Sequence, residues 1–262
     1  MKSTLPSTRG RYPPVAMTHQ LQSRPSPNFG PRRLVDGRTD VRHLVIHYTG
    51  MKSMADALAR LCDPEAGVSA HYVIAEDGTM FGLVPEESRA WHAGVAFWRG
   101  TRDLNSTSIG IELVNPGHAF GYRPFPEQQI AALMALAADI MGRHNVPPHA
   151  VLGHSDIAPG RKQDPGELFP WSTLAKKGIG LWPDPAATYK ADKADNIWQA
   201  LATVGYAVPA GPGADILDPI RGERDVIAAF QQRFRPHKVT GMVDDETKSR
   251  IAAVASLYAQ TV

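Results

Sequence analysis

The chain has 262 residues, 43% of them hydrophobic and 21% charged, with 28 basic against 26 acidic residues for a formal net charge of +2. This is an ordinary globular composition, with apolar material for one large domain or a medium and a small one. No cationic stretch is long enough to argue for nucleic acid or a membrane surface as partner, and no segment approaches the roughly 20 apolar residues of a membrane span.

Residues 1–33 are rich in Pro, Ser, Thr and Arg and read as an extended arm over the body, with little secondary structure. They hold no apolar run of signal-peptide length, and the single cysteine, Cys62, excludes an internal disulfide and fits a reducing compartment. The chain is therefore expected to act in the cytoplasm; a periplasmic protein whose signal has been removed is the alternative. "HLVIHYT" (43–49) is a short β-branched run, as in a strand buried on both faces. "MKSMADALARLC" (51–62) has a short helical pattern, and "AHYVIAEDGTMFGLVP" reads as two strands around Asp77-Gly78. "SIGIELVN" (108–115) alternates, with Ile109, Ile111 and Leu113 on one face and Gly110, Glu112 and Val114 on the other. The strongest helix spans 127–145, with Ile130, Leu133, Ala137, Ile140 and Met141 as its apolar stripe, Pro126 at its start and Asn145 with Pro147 at its end. A change of texture at 180–196 marks a boundary, followed by helical patterns at about 193–205, 222–235 and 244–259. The predicted class is α/β, a mixed central sheet flanked by helices, followed by a small three-helix C-terminal domain that leans on the larger one.

The chemistry concentrates in "VLGHSDIAPGRKQDPG" (151–166), which reads as one irregular loop. His154 and Asp164 can both ligate a metal, and zinc accepts imidazole and carboxylate. A catalytic zinc site needs a third protein ligand from rigid structure elsewhere; His47, at the end of the apolar strand, is the best candidate, against the plain reading of a structural histidine. Glu112 is a carboxylate in a strand whose face it shares with Gly110 and Val114, costly unless paired or functional. It is either a solvent-facing position or, beside an activated water, a general base. Lys162 is either part of a solvated basic turn or a cation that stabilises an oxyanion.

These residues sit in motifs that carry a resemblance. "VIHYT", "SAHYVI", "AWHAGVAFWRG", "LNSTSIGIELVN" and "GHSDIAPGRKQDPGELFPW" resemble the zinc-dependent N-acetylmuramoyl-L-alanine amidases of the AmpD/AmiD type, relatives of phage amidases and peptidoglycan recognition proteins. The resemblance runs from about residue 40 to 183, and "VIAAFQQRFRPHKVTGMVDDETKSRI" is similar to the three-helix peptidoglycan-binding-like domain of AmiD-type members. It implies domains at 1–33 (arm), 34–183 (catalytic) and 184–262 (three-helix). It implies Zn²⁺ on His47, His154 and Asp164, with Glu112 orienting and deprotonating water and Lys162 stabilising the tetrahedral intermediate. Trp91 and His92 match residues near the substrate cleft, and His71 fits the pattern as a structural residue. Arg99 and Arg102, in the stretch 91–105, are candidates to meet stem-peptide carboxylates, against the plainer reading of a solvated loop. The implied reaction is hydrolysis of the amide between N-acetylmuramic acid and L-alanine, with 1,6-anhydro-muropeptides of peptidoglycan recycling as expected substrate. The alternatives are a periplasmic amidase acting on wall peptidoglycan and a non-catalytic peptidoglycan-binding module. The C-terminal bundle can bind glycan or serve as a prop; the prop is expected.

Overall fold

A computed structural model describes residues 21–35, 37–184 and 196–261. Most of the expected N-terminal arm, and the start of the helix expected from 193, lie outside these residues. In chain order come β1 (Leu21–Ser23), β2 (Phe29–Pro31), β3 (Leu34–Val35), β4 (Arg38–Thr39), β5 (His43–Tyr48), α1 (Met54–Cys62), β6 (Tyr72–Ile74), β7 (Met80–Gly82) and β8 (Ser88–Ala90). They are followed by α2 (Leu104–Thr107), β9 (Ser108–Leu113), α3 (Gly117–Phe120), α4 (Glu127–His144), β10 (Val151–Gly153), α5 (His154–Ile157) and α6 (Trp171–Ala175). The chain ends with α7 (Ile197–Val204), α8 (Gly222–Phe234) and α9 (Asp245–Ala259).

The central sheet has the order β1-β7-β6-β9-β5-β10 and is mixed: β6 and β7 are antiparallel, while β6–β9, β9–β5, β5–β10 and β1–β7 are parallel. This is the expected α/β class. Its two faces carry different residues because side chains alternate along each strand. Leu44, Ile46, Ile109, Ile111, Leu113, Ile74 and Val151 point to one face and bury against Ile130, Leu133, Leu136, Ala137 and Ile140 of α4. Helix α4 ends as expected, with Asn145 in the left-handed conformation (φ 54°) and its N–H on the Met141 carbonyl. On the other face, Val73 meets Leu61 of α1, while Val45 and Leu152 join Leu104, Ile157 and the C-terminal helices.

Two features differ from the sequence reading. The stretch before residue 33 supplies two strands: β1 adds in parallel to β7, and β2 pairs antiparallel with β8. Its Arg32 is 5% exposed and donates to the carbonyls of Glu86, Asn105, Ser106 and Ser108. The stretch 151–166 is not one loop: Val151–Gly153 is a strand of the central sheet and His154 opens α5. A three-residue strand is too short to show a period, so only its pairing with β5 reveals it. The C-terminal helices share a continuous apolar core with the sheet, in which Val226, Phe230 and Val254 lie in one cluster with Val45 and Leu152.

A buried ion pair fastens that junction. Asp156 of α5 (0% exposed) pairs with Arg233 of α8 (2% exposed), and it also accepts from the Tyr206 hydroxyl and, at 2.8 Å, from the Gly153 N–H. Arg233 donates to the Val151 carbonyl at 3.0 Å and lies 4.1 Å above the Trp171 ring. Removing one partner of a fully buried pair strands the other charge without solvent. Arg233→Met is therefore expected to lower the unfolding free energy by about 3–5 kcal/mol in urea titrations, and adding Asp156→Asn should recover part of the loss. A single substitution within about 0.5 kcal/mol of the parent would show that the pair does not hold the junction.

Candidate metal and active site

The site follows from strand register. In the parallel pairing of β5 with β9, His47 is opposite Glu112 and Val45 opposite Gly110. On the other side of β5, Gly153 is opposite Ile46. The next residue along, His154, therefore arrives beside His47. The following turn brings Asp164 back, with its carbonyl accepting from the Ser155 N–H at 2.8 Å. His47 Nδ1, His154 Nδ1 and Asp164 Oδ2 then converge: 2.9 Å between the two nitrogens, and 3.0 and 2.9 Å from each to the carboxylate oxygen. All three side chains are buried.

The donor set fits a metal. His154 Nε2 lies 3.0 Å from the Ala93 carbonyl, which can only accept, so Nε2 carries a proton and Nδ1 is the ring atom left to face a metal. Burial, with the neighbouring His154 adding to it, lowers the His47 pKa to about 4, so this ring is neutral near pH 7. Burial alone would raise Asp164, but contact with the two histidines outweighs it and holds the carboxyl well below its ordinary value. Three potential ligand atoms within about 3 Å of one another form a group that could hold a metal ion. Tetrahedral zinc, with bonds of about 2.0–2.1 Å, sets its ligands roughly 3.3 Å apart.

His154 and Asp164 line one end of a cavity of about 400 Å³, and His47 lies behind them. Glu112 is half-buried there, and its Oε2 has no hydrogen-bond partner. Burial, then the nearby Asp164 carboxylate, push its pKa up to about 8, against the opposing effect of Lys162. Lys162 is exposed and lines the same cavity, held by its N–H on the Ala158 carbonyl. His47, His154, Asp164, Glu112 and Lys162 are thus brought together. His92 also lines the cavity and is buried, with Nδ1 3.0 Å from His47 Nε2. Trp91 is half-buried, near Gly30, and does not line the cavity. His71 is fully buried, accepting from the Gly110 N–H at 3.0 Å.

Arg99 and Arg102 face elsewhere. Arg99 donates to the Val204 and Thr203 carbonyls, and Arg102 forms a two-point pair with Asp215 at 2.7 Å. Both bind the C-terminal part, so the expectation that they meet a ligand's carboxylates does not hold in this structure. Two cavity features have no signal in the sequence pattern. Arg161 donates to the Ala93 and Val95 carbonyls and closes the 93–95 turn against the site. Tyr48, one residue past His47, shares a hydrogen bond of 2.8 Å with His118 Nδ1, whose Nε2 meets Glu167 at 3.0 Å. That relay joins three distant segments, so only folding assembles it.

The comparisons agree with this geometry. A family profile described as Amidase_2, N-acetylmuramoyl-L-alanine amidase, matches residues 37–167. The N-acetylmuramoyl-L-alanine amidase AmiD of Escherichia coli is 41% identical over 241 residues, covering 84% of each chain. Its structure in complex with the substrate anhydro-N-acetylmuramic acid-L-Ala-D-gamma-Glu-L-Lys superposes with a TM-score of 0.73, at 37% identity, over 89% of this chain and 99% of that one. AmpDh3 of Pseudomonas aeruginosa superposes with a TM-score of 0.74, at 35% identity, over 87% and 96% of the two chains, and has also been solved with an anhydromuramic pentapeptide. With similarity of this extent lying over the strands and turn that assemble the ligand cluster, the chain belongs to the N-acetylmuramoyl-L-alanine amidase family.

Proposed function

We propose that the protein hydrolyses the amide between N-acetylmuramic acid and L-alanine of muropeptides, with zinc held by His47, His154 and Asp164. The observation that carries this reading is the convergence of three buried potential ligand atoms beside a carboxylate with a partnerless oxygen. Zinc, when bound, supplies a Lewis acid that lowers the pKa of water and polarises a carbonyl. Glu112 takes the proton of the attacking water and delivers it to the leaving amine of L-alanine. Lys162 offers its ammonium to the oxyanion that develops on the lactyl carbonyl oxygen. The products are a muramyl sugar with a free lactyl carboxylate and a free stem peptide.

The substrates in the solved complexes of the two relatives support 1,6-anhydro-muropeptides as the substrate class. We read residues 34–183 as the catalytic unit and 184–262 as a peptidoglycan-binding-like helical unit that acts here as a prop. The shared apolar core and the Arg233–Asp156 pair support that role. Among the described residues no helix is long and apolar enough to cross a membrane. The single thiol favours cytoplasmic recycling, which fractionation of cells expressing the natural gene will check.

Purified protein should contain about one zinc per chain, and His154→Ala should lose both metal and activity. Full zinc retention by that variant, measured by metal analysis, would remove the ligand assignment. Glu112→Gln should keep zinc and fold while turnover falls by about 10²- to 10⁴-fold. Turnover on anhydro-muropeptides should exceed turnover on intact sacculi; the reverse preference would favour the wall-acting alternative.

A pH signature follows from Glu112 in the metal-free protein. Its folded pKa of about 8 stands above the ordinary 4.5, so between those values the native state binds more protons than the unfolded chain. This contribution to stability is complete below about pH 4.5 and is lost as pH rises to about 8. In the presence of a chelator, the melting temperature of the parent should therefore fall relative to Glu112→Gln between pH 5.5 and 8.5. Parallel curves for the two proteins would contradict the raised proton affinity.

A further inference from the structure

We propose that His92 is a positioning residue that sets the tautomer of His47, so that the His47 Nδ1 lone pair faces the metal site before any metal arrives. This rests on the metal-site reading above and concerns a residue expected at the substrate cleft. Four groups form a chain in which each proton has one possible place.

The chain ends at a carbonyl. The Ser108 hydroxyl is in very short contact with the Leu104 carbonyl oxygen. That oxygen carries no proton, so the single hydroxyl proton of Ser108 must lie between the two. The other neighbour of Ser108 Oγ is His92 Nε2 at 3.3 Å, and with its proton already committed the hydroxyl can only accept there. His92 Nε2 therefore carries a proton. The ring is buried against Gly110, His47 and His71, with no carboxylate in hydrogen-bond contact, surroundings that favour neutral imidazole. Its Nδ1 is then a lone pair, and it lies 3.0 Å from His47 Nε2. His47 must donate, which places its proton on Nε2 and leaves Nδ1 bare towards His154 and Asp164. The opposite direction would set the Ser108 and Leu104 oxygens lone pair to lone pair at their closest approach.

The surroundings hold the His92 ring for this task. The backbone N–H groups of His92 and Ala93 both donate to Asn105 Oδ1, at 3.0 and 2.7 Å. Gly110, on the strand face that carries Glu112, leaves the space the ring fills: a Cβ there would come within 2.6 Å of the His92 ring. Both ring nitrogens are occupied, so His92 lines the cavity without a free polar atom to offer a ligand. His154 receives the same service from a backbone carbonyl, that of Ala93. An outer-shell acceptor of this kind orients a metal-ligating imidazole and raises its basicity.

The test reads protons and metal, without substrate. In the metal-free, full-length protein with ¹⁵N-labelled histidine, long-range ¹H–¹⁵N spectra should show His47 protonated on Nε2 and bare on Nδ1, and His92 protonated on Nε2. His47 protonated on Nδ1 overturns the proposal. Zinc affinity, from competition with a chelating dye, should fall by about 10- to 100-fold in His92→Leu. His92→Asn, whose side-chain oxygen can take the place of Nδ1, should recover most of that loss. Unchanged zinc affinity in a folded His92→Leu protein overturns the proposal, as does a loss in His92→Asn equal to that in His92→Leu. Unchanged affinity with a raised KM would make His92 a substrate contact instead. If His92→Leu does not fold, Ser108→Ala, which removes the acceptor of the His92 proton, serves in its place. A protein that met these expectations yet cleaved no muropeptide would sink the amidase reading and leave this one standing.

Discussion

The parallel pairing of β5 with β9 on one side and β10 on the other is the constraint on which the rest of this protein depends. It sets His47 opposite Glu112 and brings His154 up beside His47 from an edge strand of three residues. The same register sends Leu44, Ile46, Ile109 and Ile111 to the face that buries against α4. A slip of one residue would turn the ligands into the apolar core and the core residues into the cavity. The driving force for the register is therefore hydrophobic, and the polar site is carried along by it. A catalytic face obtained this way is set by apolar packing on the opposite face rather than by polar attraction among its own members.

The second face then has to accommodate polar groups that the core excludes. His43, His47, His71, His92, Ser108, His154, Asp156 and Asp164 are all buried. Leaving such groups unpaired would cost several kcal/mol each, and the chain satisfies them from outside the sheet. Arg32 of the N-terminal stretch binds four carbonyls, Asn105 holds the 92–93 backbone, and Arg233 and Tyr206 of the C-terminal part hold Asp156. Remote segments thus stabilise the ligand-bearing turn two residues from His154. Glu112 Oε2 is one of the buried polar atoms left without a partner among the described residues, and Glu112 lines the cavity. A group whose desolvation is offset by no hydrogen bond is where function rather than stability sets the residue.

Sequence reasoning reached far into this structure, for physical reasons that differ between elements. The alternation in 108–115 and the stripe in 127–145 are strong periodic signals, and they became β9 and α4 with their expected faces. The metal-binding capacity of His154 and Asp164 was legible because a histidine and an aspartate in a Gly- and Pro-rich turn have few packing reasons to be there. Their partnership with His47 was a candidate from its place at the end of an apolar strand, and resemblance strengthened it, since spacing along the chain does not specify which strand lies alongside. The misplacement of Arg99 and Arg102 has the same origin: their position in a loop is local, while their binding to Thr203, Val204 and Asp215 is across more than 100 residues.

The sequence by itself determined the longer periodic elements and their apolar faces, the α/β class and the residue types able to ligate a metal, because periodicity and side-chain chemistry are local properties. Tertiary structure alone decided three further matters. It made Val151–Gly153 a strand, joined the C-terminal helices to the site face through Arg233 and Asp156, and aligned Leu104, Ser108, His92 and His47 into one chain of hydrogen bonds. Each joins segments distant in sequence. Strand pairing, ion-pair burial and the direction of a hydrogen bond exist only once the partners are within about 3 Å of each other, a distance that no reading along one dimension contains.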